Sequence, residues 1–354
     1  MLTRAAVLTA FDAPMAIHEV ELDDPGPGEV LVRVKASGVC GSDLKALLGK
    51  SPVVSRLPYV LGHESAGIVE SVGPGVTTVA PGDHVIIAMN GPCGACPRCG
   101  AGDFHLCTGP ARLTAIMGGP PRMRLDGAEV RRFIGIGSFA EHALVADAMC
   151  VKIPPHAPFA AMALLACGVI TGVGAVLNVA RVRPGSSVLV VGCGGVGLNV
   201  IQGAVLAGAT TIIAADVAEA KLKLAARFGA THTVPADALP ADVDYAFDAT
   251  GAPGVLARAF AATRPGGTTV MVGSPPRGVP LELDPGLLFA SRRLLGTQGG
   301  DAVPRRDLPM LVDQYLLGRL DLDGLISAQV PLEELDTALT HLQHGSLART
   351  VITL

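Results

Sequence analysis

Six residues, Gly192-Cys-Gly-Gly-Val-Gly197, constrain the fold of this chain more than any other stretch. They follow the apolar, β-branched run Ser187-Val-Leu-Val-Val and lead into an apolar segment, Gly197–Leu206, of helical length. The first glycine allows a tight turn, the second lets backbone approach a pyrophosphate, and the third lets helix pack against strand. The helix start then offers free N–H groups to the phosphates. An acidic residue is due near the end of the next strand, and Asp216 stands there, 19 residues after Gly197. Its carboxylate can accept from both ribose hydroxyls and would repel a 2′-phosphate. Val217-Ala218-Glu219 brings no arginine, so NAD is expected over NADP. Lys221 is a candidate for a further bond to the ribose. Beyond this loop, strands at Thr211–Ala215, Tyr245–Asp248 and Thr268–Val272 surround a helix at Ala218–Phe228. Such alternation belongs to an α/β fold with a doubly wound parallel sheet.

The first 150 residues or so read differently. Val30–Lys35 alternates apolar and polar side chains at period two. Ala66–Val72 and His84–Ala88 follow as further short strands, separated by turns at Gly73-Pro-Gly75 and Pro81-Gly82. An Ala-rich helix runs through Ala161–Leu165. Helices at Leu308–Leu317 and Leu332–Leu342 and a strand at Thr350–Leu354 are expected after residue 300. A chain of 354 residues accommodates two domains, and 49% hydrophobic against 16% charged residues favours a well-buried enzyme over disorder. The net charge of −4 offers no basic face for nucleic acid or anionic lipid. The first ten residues lack the apolar core of a signal peptide. The apolar stretches read as broken well short of about 18 residues, so no membrane-spanning helix is expected. These points make the expected compartment cytoplasmic and reducing, where clustered cysteines more often bind metal than form disulfides.

Cys93-x2-Cys96-x2-Cys99-x7-Cys107 is such a cluster. Four thiolates can enclose one tetrahedral Zn²⁺ and leave no open position, which describes a structural site. An iron–sulfur cluster is the rival reading. Three dispersed residues, Cys40, His63 and Cys167, could form a second site with its fourth position open. Taken singly, each is more often an ordinary buried side chain.

Several motifs in order make the chain resemble the zinc-containing medium-chain alcohol dehydrogenases, in the branch of the class III and dimeric enzymes. They are Gly38-Val-Cys-Gly-Ser-Asp43, Gly62-His-Glu64, the four-cysteine lobe, Cys167-Gly-x-x-Thr-Gly172, the glycine loop, Asp216, and Ser346-Leu-Ala-Arg-Thr-Val-Ile352. The resemblance implies a GroES-like, β-rich catalytic domain (1–168), a Rossmann domain (169–300) and a return to the catalytic domain (301–354). It implies two Zn²⁺ per chain and NAD. The catalytic zinc ligands fall on Cys40, His63 and Cys167, with Glu64 beside the metal and Asp43 behind the histidine. Ser42 falls on the hydroxyl that takes the alcohol proton. Thr171, Gly192, Gly194, Gly195, Val196, Gly197, Val272 and Arg349 fall on cofactor positions, Arg349 near the pyrophosphate. Two departures stand out. Lys45 replaces a histidine that relays the proton to solvent, and Gly41 replaces a basic residue at the pyrophosphate. The pocket would include Met89, Phe133, Ile134 and Ser274, an apolar set suited to a medium-sized primary alcohol or aldehyde. The long segment Thr108–Ser138 implies a homodimer and leaves a thiol-adduct (S-hydroxymethyl thiol) dehydrogenase as the alternative. A non-catalytic nucleotide-binding relative would lack the full ligand set and Asp216.

Overall fold

The computed structural model describes residues 1–54, 56–109, 121–276, 278–345 and 349–354. Two compact units emerge. One comprises 1–167, 303–317 and 322–354, the other 168–302 and 318–321.

The first unit is β-rich. A small closed barrel is formed by Leu2–Leu8, Ala16–Leu22, Met123–Leu125, Ala128–Arg132 and Tyr59–Val60. Beside it lies a seven-stranded sheet whose centre is the long strand Glu29–Gly38. That strand pairs antiparallel with Glu64–Val72, with His142–Ala146 and with Arg349–Thr353. The pairing matters for the site. Antiparallel pairing brings the end of Glu29–Gly38 against the first residues of Glu64–Val72 and of Arg349–Thr353, so Gly38 lies opposite both Glu64 and Val351. Alternation along Glu29–Gly38 buries Val30, Val32 and Val34 in one apolar cluster with Val69, Val85 and Ile87.

The second unit holds six parallel strands, Ser187–Val191, Thr211–Asp216, His232–Pro235, Val243–Asp248, Thr263–Met271 and Arg293–Gly296. Numbered by chain order they lie 3-2-1-4-5-6, the doubly wound arrangement of a Rossmann sheet. The predicted strand Ser187–Val191 is observed as such, and the helix after it begins two residues earlier than expected, at Gly195. His232–Pro235 and Arg293–Gly296 escaped the sequence reading. Each is a four-residue strand with mostly exposed or half-exposed side chains, so neither carries a clear apolar alternation.

One expectation is corrected. Phe159–Ala180 is a helical run of 22 residues with a mean hydropathy of 2.2 in its most apolar window, long and apolar enough by length and composition to cross a membrane. Burial accounts for its character, since 78% of that window lies inside the protein. Gly172 and Gly174 interrupt its apolar pattern yet are close-packing points, for a Cβ there would stand 2.6 Å from the Val196 carbonyl oxygen and 2.5 Å from that of Gly300, respectively.

Candidate active site and metal centres

The strand ends just described assemble a buried cluster in the first unit. Cys40 lies two residues past Gly38, and His63 and Glu64 lie at the start of Glu64–Val72. Cys167 comes from the helical run above, within a π-helical stretch, Leu165–Val169. A π-bulge shifts the side-chain phase of a helix and is often found at functional positions. The potential ligand atoms of Cys40, His63, Glu64 and Cys167 all lie within 4.8 Å of one another.

Asp43 organises this cluster from beneath. Its side chain is fully buried. Oδ2 accepts from the Cys40 backbone N–H at 3.0 Å, and Oδ1 accepts from the Gly62 N–H at 3.1 Å. The same Oδ1 lies 3.2 Å from His63 Nδ1. An anionic partner fixes the Nδ1–H tautomer and frees Nε2 as a ligand. Ser42 Oγ stands 3.1 Å from that Nε2, and Phe133 packs edge-on against the imidazole with ring centroids 5.4 Å apart.

Arg349 completes the cluster. Its guanidinium is almost fully buried and donates to the Val39 carbonyl at 3.2 Å, with Glu64 Oε1 also at 3.2 Å. The resemblance put this residue near a pyrophosphate; the structure brings it to Glu64, with one nitrogen committed to the carboxylate and to the backbone next to Cys40. Burial opposes its charge, but Glu64 and Cys40 outweigh burial and raise its pKa further. Burial drives the Glu64 carboxyl up to about 8 against the pull of Arg349. The Cys40 thiol is lowered well below its ordinary value, first by the hydrogen bond from Cys167, and Cys167 is raised by the same bond. His63 is held above its ordinary value because Asp43 and Cys40 outweigh its burial.

Cys40, His63, Glu64 and Cys167 can each present a metal-binding atom, and the four atoms lie close enough together to surround one cation. The donor set of two sulfurs and one imidazole suits zinc with a further position open. Gly38 makes room for the arrangement, because a Cβ there would lie 2.5 Å from Glu64 Oε2. The motif Gly38-Val-Cys-Gly-Ser-Asp43 contained this glycine, but its steric role needs the register with Glu64 to be seen.

The four-cysteine lobe also closes. The sulfurs of Cys93, Cys96, Cys99 and Cys107 lie within 4.8 Å of one another. Backbone N–H groups point at them, from Cys93 and Gly109 to Cys107 Sγ at 3.3 and 3.2 Å, and from Cys99 to Cys96 Sγ at 3.5 Å. Such bonds favour thiolates. The Cys96 thiol is lowered to about 5, chiefly by the Cys99 N–H, whereas burial pushes Cys99 up to about 12. Gly109 leaves the sulfurs their space, since a Cβ there would lie 2.6 Å from Cys93 Sγ.

In the second unit the glycine loop has the three properties predicted for it. Gly192 adopts φ +93°, and a Cβ on Gly197 would lie 1.7 Å from the Gly192 carbonyl oxygen. A Cβ on Gly194 would meet nothing within 4 Å, which leaves the loop open to a ligand. Gly195 and Val196 begin the helix. Asp216 braces the loop as well as ending its strand. Its Oδ2 accepts from the Cys193 N–H at 2.7 Å and its Oδ1 from the Ala218 N–H at 2.9 Å. Lys221 lies close enough to act on the Cys193 thiol, which burial and Asp216 raise to about 12 against it. Thr171 neighbours Gly172, where a Cβ would lie 2.6 Å from the Val196 carbonyl oxygen, so its helix abuts the loop. Val272 donates to the Asp248 carbonyl just past the sheet. This cradle fits a dinucleotide.

Of the remaining predicted residues, Lys45 and Gly41 lie on the short helix Gly41–Leu47 and are exposed. Met89 is half-buried after His84–Ile87, and Ile134 takes φ +53° beside Phe133. Ser274 is exposed in the second unit. Ser346, Leu347 and Ala348, and residues 110–120 of the long segment Thr108–Ser138, lie outside the described residues.

The chain is similar to known proteins over nearly its whole length. The family described as Alcohol dehydrogenase GroES-like domain matches residues 26–155, and that described as Zinc-binding dehydrogenase matches 195–315. An Alcohol dehydrogenase class-3 of Cereibacter sphaeroides is 37% identical over 99% of this chain and all of its own length. An S-(hydroxymethyl)glutathione dehydrogenase of Paracoccus denitrificans is 36% identical over 99% of this chain and all of its own length. The crystal structure of a benzyl alcohol dehydrogenase from Acinetobacter calcoaceticus superposes with a TM-score of 0.93 at 31% identity, covering 100% of this chain and 99% of that one.

Proposed function

The chain belongs to the zinc-containing medium-chain alcohol dehydrogenases, NAD-dependent oxidoreductases, and we propose that it interconverts a medium-sized, apolar primary alcohol and its aldehyde. The observation that carries this reading is the buried cluster of Cys40, His63, Cys167, Glu64 and Arg349, with Phe133 against its histidine. We assign Cys40, His63 and Cys167 as ligands of the catalytic zinc, Glu64 as the acidic group beside it, and the four-cysteine lobe as the structural zinc site. Zinc supplies the Lewis-acid charge that makes an alcohol acidic, and NAD accepts the hydride. Ser42 takes the hydroxyl proton through Oγ. Lys45, exposed three residues on along the same helix, passes it to solvent. Asp43 holds the imidazole in one tautomer while charge changes above it. The apolar wall at Phe133 favours carbon over a polyol chain.

A second reading, oxidation of an S-hydroxymethyl thiol, is favoured by the similarity to S-(hydroxymethyl)glutathione dehydrogenases over 99% of this chain. NADH formation across benzyl and aliphatic alcohols and S-hydroxymethyl thiols, with and without a chelator, separates the two. Turnover confined to thiol adducts overturns the first reading, and chelator-resistant turnover overturns the metal assignment. None of the eight cysteines is paired in a disulfide, which supports a cytoplasmic location. A homodimer is supported by the sheet edge at Arg293–Gly296 and by the exposed apolar side chains Leu288 and Phe289, the latter 94% exposed. Light scattering of Phe289→Asp should then show monomer where the parent shows dimer.

A further inference from the structure

The second unit has a concavity of about 860 Å³ whose lining holds more cations than acids. It lies where the parallel strands begin. Ser186 precedes the first strand, Asp244 and Tyr245 open the fourth, and Arg293 opens the sixth. The glycine loop Gly192–Gly197 and Val272 follow the opposite ends of these strands, so this hollow is separate from the nucleotide cradle. Its volume falls within the range of ligand pockets, about 300–1,000 Å³.

Four arginines line it, Arg181, Arg183, Arg264 and Arg293. The chain as a whole carries more acid than base, 31 against 27, so their gathering here is not a general basic surface. Among the described residues only Arg264 has an ion-pair partner, Asp244 at 2.7 Å. The other oxygen of Asp244 accepts from the Ser187 N–H and hydroxyl, both at 2.8 Å. Asp301, the other acid in the lining, accepts from the Thr297 hydroxyl at 2.8 Å and the Gln298 N–H at 3.2 Å. Arg183 and Arg293 make no ion pair or side-chain hydrogen bond among the described residues. Arg181 donates only to the Asn178 carbonyl, from a left-handed backbone (φ 51°, ψ 53°) that side-chain-bearing residues rarely adopt. Three guanidinium forks thus border one hollow without carboxylate partners, while the acids there are occupied by other donors.

We propose that this hollow binds a compact, multiply phosphorylated small molecule. Guanidinium forks match the paired oxygens of phosphate, and each phosphate group offers several acceptors to neighbouring forks. Ser186 and Thr268 add hydroxyl donors to the same lining.

The test uses the zinc-loaded enzyme with NAD at saturation, so that phosphate recognition by the glycine loop is blocked. Fructose 1,6-bisphosphate is titrated by calorimetry, with fructose and tricarballylate as the uncharged and carboxylate comparisons. The expected result is saturable one-to-one binding of the bisphosphate, no binding of fructose, and weaker binding of tricarballylate. Arg181→Ala with Arg183→Ala should weaken binding by about tenfold or more for each fork removed, while thermal midpoint, NAD affinity and the dimer stay unchanged. Absence of binding to the NAD-saturated parent, or binding that the double variant leaves intact, overturns the site. Equal affinity for tricarballylate overturns the phosphate assignment.

Discussion

Asp43→Asn isolates one carboxylate that holds three donors and touches no substrate. In the parent, Oδ1 serves Gly62 N–H and His63 Nδ1–H, and Oδ2 serves Cys40 N–H. The amide keeps one acceptor and turns an NH₂ toward a donor. If the acceptor stays on the Gly62 and His63 side, the Cys40 N–H is left facing hydrogens inside a fully buried pocket. Leaving one buried donor unpaired costs about 1–3 kcal/mol, and the bonds that remain lose the charge assistance of a carboxylate. Cys40 N–H also marks the start of helix Gly41–Leu47, so the loss acts on the ligand loop itself. Zinc affinity at the catalytic site should fall about 10- to 100-fold, the range seen when groups behind a metal ligand are removed. Competition with a chromogenic chelator reads this directly. The parent should release its two zinc ions in two steps, and only one step should move in the variant. Turnover per bound catalytic zinc should fall as well, because the imidazole is no longer fixed. A variant that binds both ions as the parent does and turns over at the parental rate would refute the positioning role.

Ser42→Ala should keep both zinc ions and lower kcat about 100-fold or more, the size of a lost proton-transfer group; steady-state kinetics beside metal analysis check it, and a parental kcat would remove Ser42 from the reaction. Gly197→Ala drives a Cβ to 1.7 Å from the Gly192 carbonyl oxygen, so NADH binding followed by fluorescence should be lost or the thermal midpoint should drop sharply. Gly41→Arg meets no steric obstacle, since a Cβ there has nothing within 4 Å. It should tighten NAD binding by restoring a cation, and unchanged or weaker affinity counts against the role inferred for that position.

The parts of the molecule legible in the sequence are those whose chemistry is local. The glycine loop could be read because turn, ligand approach and helix packing each need a missing Cβ within six residues. The four cysteines could be read because a closed metal shell needs its sulfurs within one short loop. The strands at His232–Pro235 and Arg293–Gly296 could not, because four residues with mostly exposed or half-exposed side chains give no period to detect. The helical run Phe159–Ala180 was misjudged for the opposite reason. Gly172 and Gly174 look like breaks in a linear reading, yet they are points where neighbouring backbone comes within van der Waals range.

The catalytic cluster lies between these cases, and Arg349 shows why. Nothing near it in sequence marks a partner, and its distance from Glu64 is 285 residues along the chain. The register of three strands closes that gap. Arg349–Thr353 runs antiparallel to Glu29–Gly38, which runs antiparallel to Glu64–Val72, so two strand starts flank one strand end. Gly38 at that end has no side chain, and the space it leaves holds the Glu64 carboxylate, within reach of the guanidinium. A larger residue at 38 would have to displace Glu64 and so strand Arg349, a buried cation beside Cys40. The cost of an unpaired buried charge is several kcal/mol, more than the loss of any single neutral hydrogen bond in the cluster. Glycine at 38 is therefore as much a part of the metal centre as the ligands, and its role follows from strand register rather than from a motif.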